Sequence, residues 1–185
     1  VARNRELVDR AKRGDREAFS ALVDGSIRRL VGTAGLILHD AGRGEDAAQE
    51  ALIRAWRDLP TLRDPDRFDA WLYRLLVRAC HDQLRRARRD IPTEELMPSH
   101  GFVTDDEVGA FADRDEIDRG LSRLSQEQRT VVVLRYYGGL SDREVGEAIG
   151  RPVGTVKSRL NRALDAMRAE LAADARGARG EERLA

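Results

Sequence analysis

The chain has 185 residues, 41% of them hydrophobic and 36% charged, with a formal net charge of zero; that length suits one ordinary domain or two small ones. So much charge, few aromatics and almost no β-branched run outside Val131-Val132-Val133 imply helices with one buried stripe and wide solvated faces. No run approaches the roughly 18 apolar residues of a spanning helix, and the single cysteine, Cys80, excludes an internal disulfide. The expected fold is all-α. With no signal peptide at its start and one thiol, the protein is expected to be cytoplasmic and not inserted in a membrane.

The zero net charge conceals an uneven distribution. Residues 90–118 hold ten acidic side chains and one basic one, so the other 156 residues carry a net +9. Two basic ends flank an acidic middle, and distribution matters more than the sum for a polyanionic partner. Arginine supplies 31 of the 33 basic residues; its fork suits phosphate oxygens, though a GC-rich coding bias also explains it.

Taken in chain order, Ala18, Phe19, Leu22 and Val23 start an apolar stripe that continues through Leu30, Val31, Ala34 and Leu38. Residues 40–44 read as a turn-rich break. Ala48, Ala51, Leu52, Ala55, Trp56 and Leu59 then follow the i, i+3, i+4, i+7 pattern of a helix. Pro60 and Pro65 bracket a loop. A third stripe, Phe68, Trp71, Leu72, Leu75, Leu76 and Ala79, runs into Arg85-Arg86-Ala87-Arg88-Arg89. Trp56 and Trp71 are expected to be core anchors.

From residue 90 to about 112 periodicity fades among prolines, glycines and acids, which predicts a flexible acidic linker. The expected division is 1–89, a linker 90–112, a second helical domain 113–173 and a disordered tail 174–185. In the second domain Ile117, Leu121 and Leu124 begin the pattern. Ser125 with Gln128, and Ser141 with Glu144, have capping-box spacing. Gly150 stops one helix and Pro152 suits the first turn of the next, which is expected to run to about Leu171.

Residues 140–164 read as a helix-turn-helix: a short helix, a tight turn at Gly150-Arg151, and a longer helix with Val156, Leu160, Ala163, Leu164 and Met167 inward. Arg151, Thr155, Lys157, Ser158, Arg159, Asn161 and Arg162 fall on the outward side, as donors for phosphates and base edges. A plain helical hairpin with a solvated basic face has the same spacing.

Gly139-Leu140-Ser141, Glu144-Val145, Gly150 and residues 154–160 (GTVKSRL) resemble region 4 of the extracytoplasmic-function sigma factors. Gly14-Asp15, Ala18-Phe19, residues 45–50 (EDAAQE), Ala55-Trp56, Trp71-Leu72 and residues 82–86 (DQLRR) resemble region 2 of that family. These words follow the family's order over nearly the whole chain.

The resemblance implies two small helical domains, and core RNA polymerase and promoter DNA as partners. On helix 46–59, Asp46, Gln49, Glu50, Ile53 and Arg57 would meet the clamp of the polymerase's largest subunit; an exposed Ile beside carboxylates suits an interface. Leu62, Arg63 and Arg67 of the loop, with Arg74, Arg78, Arg85 and Arg86, would hold the −10 element. Many members carry Asn where this chain has Arg78, a longer, donor-only side chain. Arg135 and Arg151 would contact −35 phosphates, with Thr155, Lys157, Ser158, Arg159, Asn161 and Arg162 toward the groove. The acidic linker would lie in the path of template strand or nascent RNA, and an anti-sigma protein is a further expected partner.

His39, His81 and His100 are scattered, no phosphate loop or nucleophile motif is present, and neither a metal nor a cofactor is expected. The chain is not expected to be an enzyme. The competing reading is a stand-alone helix-turn-helix regulator that never binds core polymerase.

Overall fold

The computed structural model describes the backbone of residues 2–90 and 111–181, and side chains over 4–87 and 117–169. All regular structure among these residues is helical. The expected linker lies almost wholly outside them.

The first group begins with α1 (Ala2–Lys12), which burial of Val8 and Ala11 fixes to its neighbours. Gly14, at φ +92°, reverses the chain, and Asp15 caps α2 (Arg16–Val23) by accepting the Ala18 amide at 3.0 Å. The apolar stripe of residues 18–38 does not form one helix. It breaks at Asp24-Gly25-Ser26, where the Ser26 amide donates to the Val23 carbonyl at 2.8 Å, before α3 (Ile27–Leu38).

Residues 40–44 likewise differ from expectation. Only His39 and Asp40 are non-helical: His39 is left-handed at φ 55°, and the extended Asp40 already caps α4 (Ala41–Asp58) through the Arg43 amide at 3.0 Å. Gly44 belongs to a tight crossing, because a Cβ there would lie 2.6 Å from the Gly35 backbone. Two short 3-10 turns, Leu59–Thr61 and Pro65–Arg67, lead into α5 (Phe68–Asp90). Every member of the third stripe is buried.

In the second group, α6 (Phe111–Ser122) precedes α7 (Gln126–Val132), whose capping box is complete at Ser125 and Gln128. Residues Val133–Tyr137 widen into a π-type turn before Gly138-Gly139. Helix α8 (Asp142–Ile149) opens on the second complete capping box, Ser141 with Glu144, and ends at Gly150, φ 66°. Helix α9 (Val153–Glu181) starts one residue after Pro152. It extends through residues 174–181, expected as tail, in spite of Gly177 and Gly180.

Within α9, Val156, Leu160 and Ala163 are buried, and Met167 packs at the margin. A Cβ on Gly146 would lie 2.7 Å from the Arg151 carbonyl oxygen, so the turn of the motif closes against bare backbone. One apolar cluster runs through both groups. Helix α8 packs on α5, and the π-type turn packs on α3. At this junction the Gln126 amide donates to the Ile37 carbonyl at 3.1 Å, His39 Nδ1 lies 3.6 Å from Asp118, and the Tyr137 ring covers Gly32.

Candidate nucleic-acid interface

Helix α4 sorts its residues cleanly. Gly44, Ala47, Ala48, Ala51 and Ala55 face inward. Asp46, Gln49, Ile53 and Arg57 are exposed on the opposite side, with Glu50 at its edge. Ile53 is 56% exposed, a large apolar side chain left in water between polar neighbours. Glu50 is less free than its neighbours. It accepts from Arg54 Nε at 2.8 Å, and Arg54 also reaches Asp82 of α5 at 2.8 Å, fastening the two helices behind the exposed face. Arg57 pairs with Asp58 and lowers that carboxyl's pKa.

The loop after α4 and the start of α5 border an open cavity of about 540 Å³ lined by residues 61–64, Arg67, Ala70, Trp71, Arg74 and Glu147. The structure thus brings together four of the expected −10 residues: Leu62, Arg63, Arg67 and Arg74. Leu62 requires correction as a loop contact. It is only 6% exposed, turned into the core, while Lys12 Nζ holds its carbonyl at 2.8 Å; it supplies floor to the cavity. Arg63 and Arg67 are exposed at the rim, and the buried Nε of Arg74 has no hydrogen-bond partner.

Arg78 and Arg85 line a separate cavity of about 440 Å³ with His81, Asp82, Leu84, Gln126 and Glu127. Arg86 lines neither cavity and is exposed on α5. The expected −10 set is therefore two clusters along α5.

Trp71 is 7% exposed, stands 6.1 Å centroid to centroid from Phe68, and also walls the first cavity. It is a core anchor with one edge on the site. Trp56, half-buried, meets Phe19 edge-on at 5.2 Å. Sequence reading missed Thr61, Asp64, Ala70 and Glu147 as lining residues. Ala70 was detectable, lying beside Trp71 at the start of α5; Glu147 was not, since it arrives from the other group. Cys80 is fully buried, and burial pushes its thiol up to about 12, so it is chemically quiet.

On α9, Lys157, Ser158, Asn161 and Arg162 are exposed on one side, Thr155 is partly so, and Arg151 is exposed in the preceding turn. The Arg162 guanidinium folds back to the Ser158 carbonyl at 3.1 Å. Arg159 departs from expectation. Its side chain is 16% exposed and its guanidinium is 2.6 Å from Glu127, so it braces α9 against α7 and does not point outward. The i, i+4 spacing from Thr155 places Arg159 at the boundary between faces, and the nearby carboxylate decides its direction. Arg135 is pinned by Asp142 at 3.1 Å and the Leu140 carbonyl at 3.3 Å, yet keeps 42% of its side chain exposed.

Among the described residues no group of three or more His, Cys, Asp or Glu is placed to hold a metal, and no helix is long and apolar enough to cross a membrane. The arrangement is two basic surfaces, one around a cavity and one on a helix-turn-helix, beside an exposed apolar spot on α4.

The two surfaces coincide with two family matches: residues 22–90 match Sigma-70 region 2, and residues 114–167 match Sigma-70, region 4. The chain is similar to the RNA polymerase sigma-H factor of Pseudomonas aeruginosa, 33% identical over 89% of this chain and 91% of the relative. It is similar also to the extracytoplasmic-function sigma factor SigW of Bacillus subtilis, 31% identical over 90% and 96%. Among solved structures, CnrH in complex with the cytosolic domain of CnrY superposes with a TM-score of 0.71, at 27% identity over 93% of this chain and 99% of that one. RpoE of Bartonella quintana, bound to the anti-sigma factor NepR, shares the fold, with a TM-score of 0.70 at 22% identity over 84% and 98%.

The chain belongs to the extracytoplasmic-function, or group IV, sigma factors. It binds core RNA polymerase and directs it to promoter DNA, as a transcription initiation factor. The reading as a stand-alone regulator falls, because the region 2 match spans the polymerase-binding half.

Proposed function

We propose that the chain works as two domains, 1–89 and 113–173, joined by the tether 90–112, and that the cavity under residues 61–67 receives a base of the −10 non-template strand. The cavity carries this reading. Arg63 and Arg67 at its rim suit the strand's phosphates, and Leu62 and Trp71 offer apolar surface to an unstacked base. Arg74, part-buried in the cavity wall, adds a cation to the same site. Arg78, Arg85 and Arg86 continue the backbone track along α5.

In the same reading α4 offers Ile53, with Asp46, Gln49, Glu50 and Arg57, to the polymerase clamp. Arg151, Thr155, Lys157, Ser158, Asn161 and Arg162 read the −35 element, with Arg135 beside a phosphate. Arg159 is withdrawn from the reading set. Catalysis belongs to the polymerase and the protein itself is not an enzyme; it acts in the cytoplasm. An anti-sigma protein covers its binding surfaces when transcription is not called for. The solved structures of two relatives with CnrY and NepR support that partner.

The test is run-off transcription of genomic DNA with core polymerase and the full chain, followed by sequencing of the start sites. Shared −35 and −10 sequences upstream of those sites are the expected result. Arg67→Ala should weaken use of the −10 element, while Lys157→Ala with Arg162→Ala should abolish the preference for an intact −35 element, each lost base contact costing about 1–3 kcal/mol. An unchanged preference in the double variant would overturn the reading face.

A further inference from the structure

We infer that α1 sets the loop that reads the −10 strand, and that Lys12 is the positioning residue: its ammonium, on the Leu62 carbonyl, fixes the rim of the cavity before DNA arrives. The inference rests on that cavity's receiving the −10 strand.

Helix α1 precedes the segment 22–90 that matches Sigma-70 region 2. Among the described residues it contributes no wall to the cavity. It packs instead on α2 and on the two 3-10 turns that flank the loop, with Val8 and Ala11 buried. Two cations of α1 cross to the loop. Lys12 Nζ donates to the Leu62 carbonyl at 2.8 Å, and the Arg5 fork pairs with the Asp66 carboxylate. These contacts fall on either side of Arg63 and Asp64, and Arg67 follows directly after the second. Both rim arginines are therefore carried on chain that α1 holds.

The loop needs such a hold. Between its two turns the chain is extended, at φ −67°, ψ 113° for Leu62 and φ −117°, ψ 107° for Asp64. An extended stretch cannot form the repeating bonds of a helix, so its polar groups look to other partners. Leu62 is fixed twice, by its buried side chain and by its bonded carbonyl. A binding group held loosely loses contact, and a loop that must be ordered on binding gives up affinity.

The two cations are not equivalent. Arg5 and Asp66 keep 57% and 39% of their side chains exposed, a pair weakened by water and salt. Lys12 is part-buried, and its partner is a neutral carbonyl, so salt weakens that bond less. Arginine fills 31 of the 33 basic positions, and Lys12 is one of only two lysines. A guanidinium is a planar fork for paired acceptors, whereas an ammonium is a compact head that can serve a single carbonyl.

The experiment uses holoenzyme reconstituted from the full chain and core polymerase. It binds a single-stranded oligonucleotide of the non-template −10 sequence found upstream of the mapped start sites, or a scrambled copy, at several salt concentrations. Lys12→Met keeps the aliphatic stem and removes the donor. It should weaken binding of the −10 strand about three- to tenfold, change scrambled binding little and leave the salt slope as it is. Core affinity and −35 preference should not move, and amide exchange in the full chain should quicken at residues 62–67 but not in α9. Arg5→Gln should cost less than about twofold; a loss larger than that of Lys12→Met would move the role to Arg5. Binding of the −10 strand unchanged by Lys12→Met, while Arg67→Ala weakens it, overturns the inference. So does an equal loss for both strands with a salt slope lower by about 0.7, which would make Lys12 a phosphate contact itself. Arg67→Ala that leaves −10 binding intact overturns instead the reading of the cavity, and the exchange at residues 62–67 still judges the hold of Lys12.

Discussion

The two groups of helices are held together by different means. In α1–α5 the helices interlock through residues too small to keep them apart, Gly35 against Gly44 and the alanine face of α4, while α5 contributes a continuous stripe of large side chains. In α7 and α8, seven and eight residues long, little internal ladder exists, and the ends carry the order: Ser125 with Gln128, Ser141 with Glu144, and a left-handed Gly150. A short helix has nearly as many free terminal groups as internal bonds, so caps matter in proportion. The first group is therefore sensitive to volume and the second to hydrogen bonding.

The largest effect that tests this contrast is expected from Leu76→Ala. Leu76 is fully buried in α5, and such truncations cost about 2–5 kcal/mol. Denaturant unfolding should show that loss. A small loss, under about 1 kcal/mol, would mean that the first group repacks easily and is not volume-limited.

Cap removal should come next. Ser141→Ala and Ser125→Ala should each cost about 1 kcal/mol, within a usual range of 0.5–2, and the loss at Ser141 should appear as faster amide exchange in α8. Arg159→Ala should resemble a cap variant more than a DNA-contact variant. It removes the brace to Glu127, lowering stability modestly, and leaves −35 preference nearly as it was. A loss of −35 preference equal to that of Arg162→Ala would return Arg159 to the reading face.

The same contrast explains what was legible in the sequence. Signals confined to a few neighbouring residues read correctly: both capping boxes, the stripes of α4 and α5, and Ile53 on an otherwise polar face. Signals that depend on distant partners did not. Asp40-Ala-Gly-Arg-Gly looks like a turn, and only the crossing of α3 explains Gly44 inside a helix. Arg159 was read outward because Glu127, 32 positions earlier, decides its direction. Leu62 looked like a loop residue because no local pattern reveals that the loop folds its side chain into the core. Glu147 belongs to a helix whose spacing speaks only of the helix-turn-helix, so its place in the cavity was invisible.

The smallest expected effect is on acidification, where two carboxyls of the junction should respond in opposite directions. The Ser141 hydroxyl first, then its amide, hold Glu144 below the usual carboxylate pKa, against the opposing effect of burial. Its contribution is therefore present above the unfolded value, about 4.3, and is lost as pH falls through the lower folded one. Asp69, at the surface of α5, is raised by partial desolvation and then by Glu144. Its contribution runs the other way, present below the unfolded value of about 3.9 and lost as pH rises through the higher folded one. Thermal unfolding followed from pH 7 to 3 separates them. Glu144→Gln keeps a capping side chain without a titrating group, so it should flatten the part of the loss seen at the acid end. Asp69→Asn should raise stability near neutral pH and remove that advantage on acidification. Were both variants to shift the curve uniformly at every pH, neither carboxyl would be coupled to the junction, and the like-charge contact between α5 and α8 would have no energetic role.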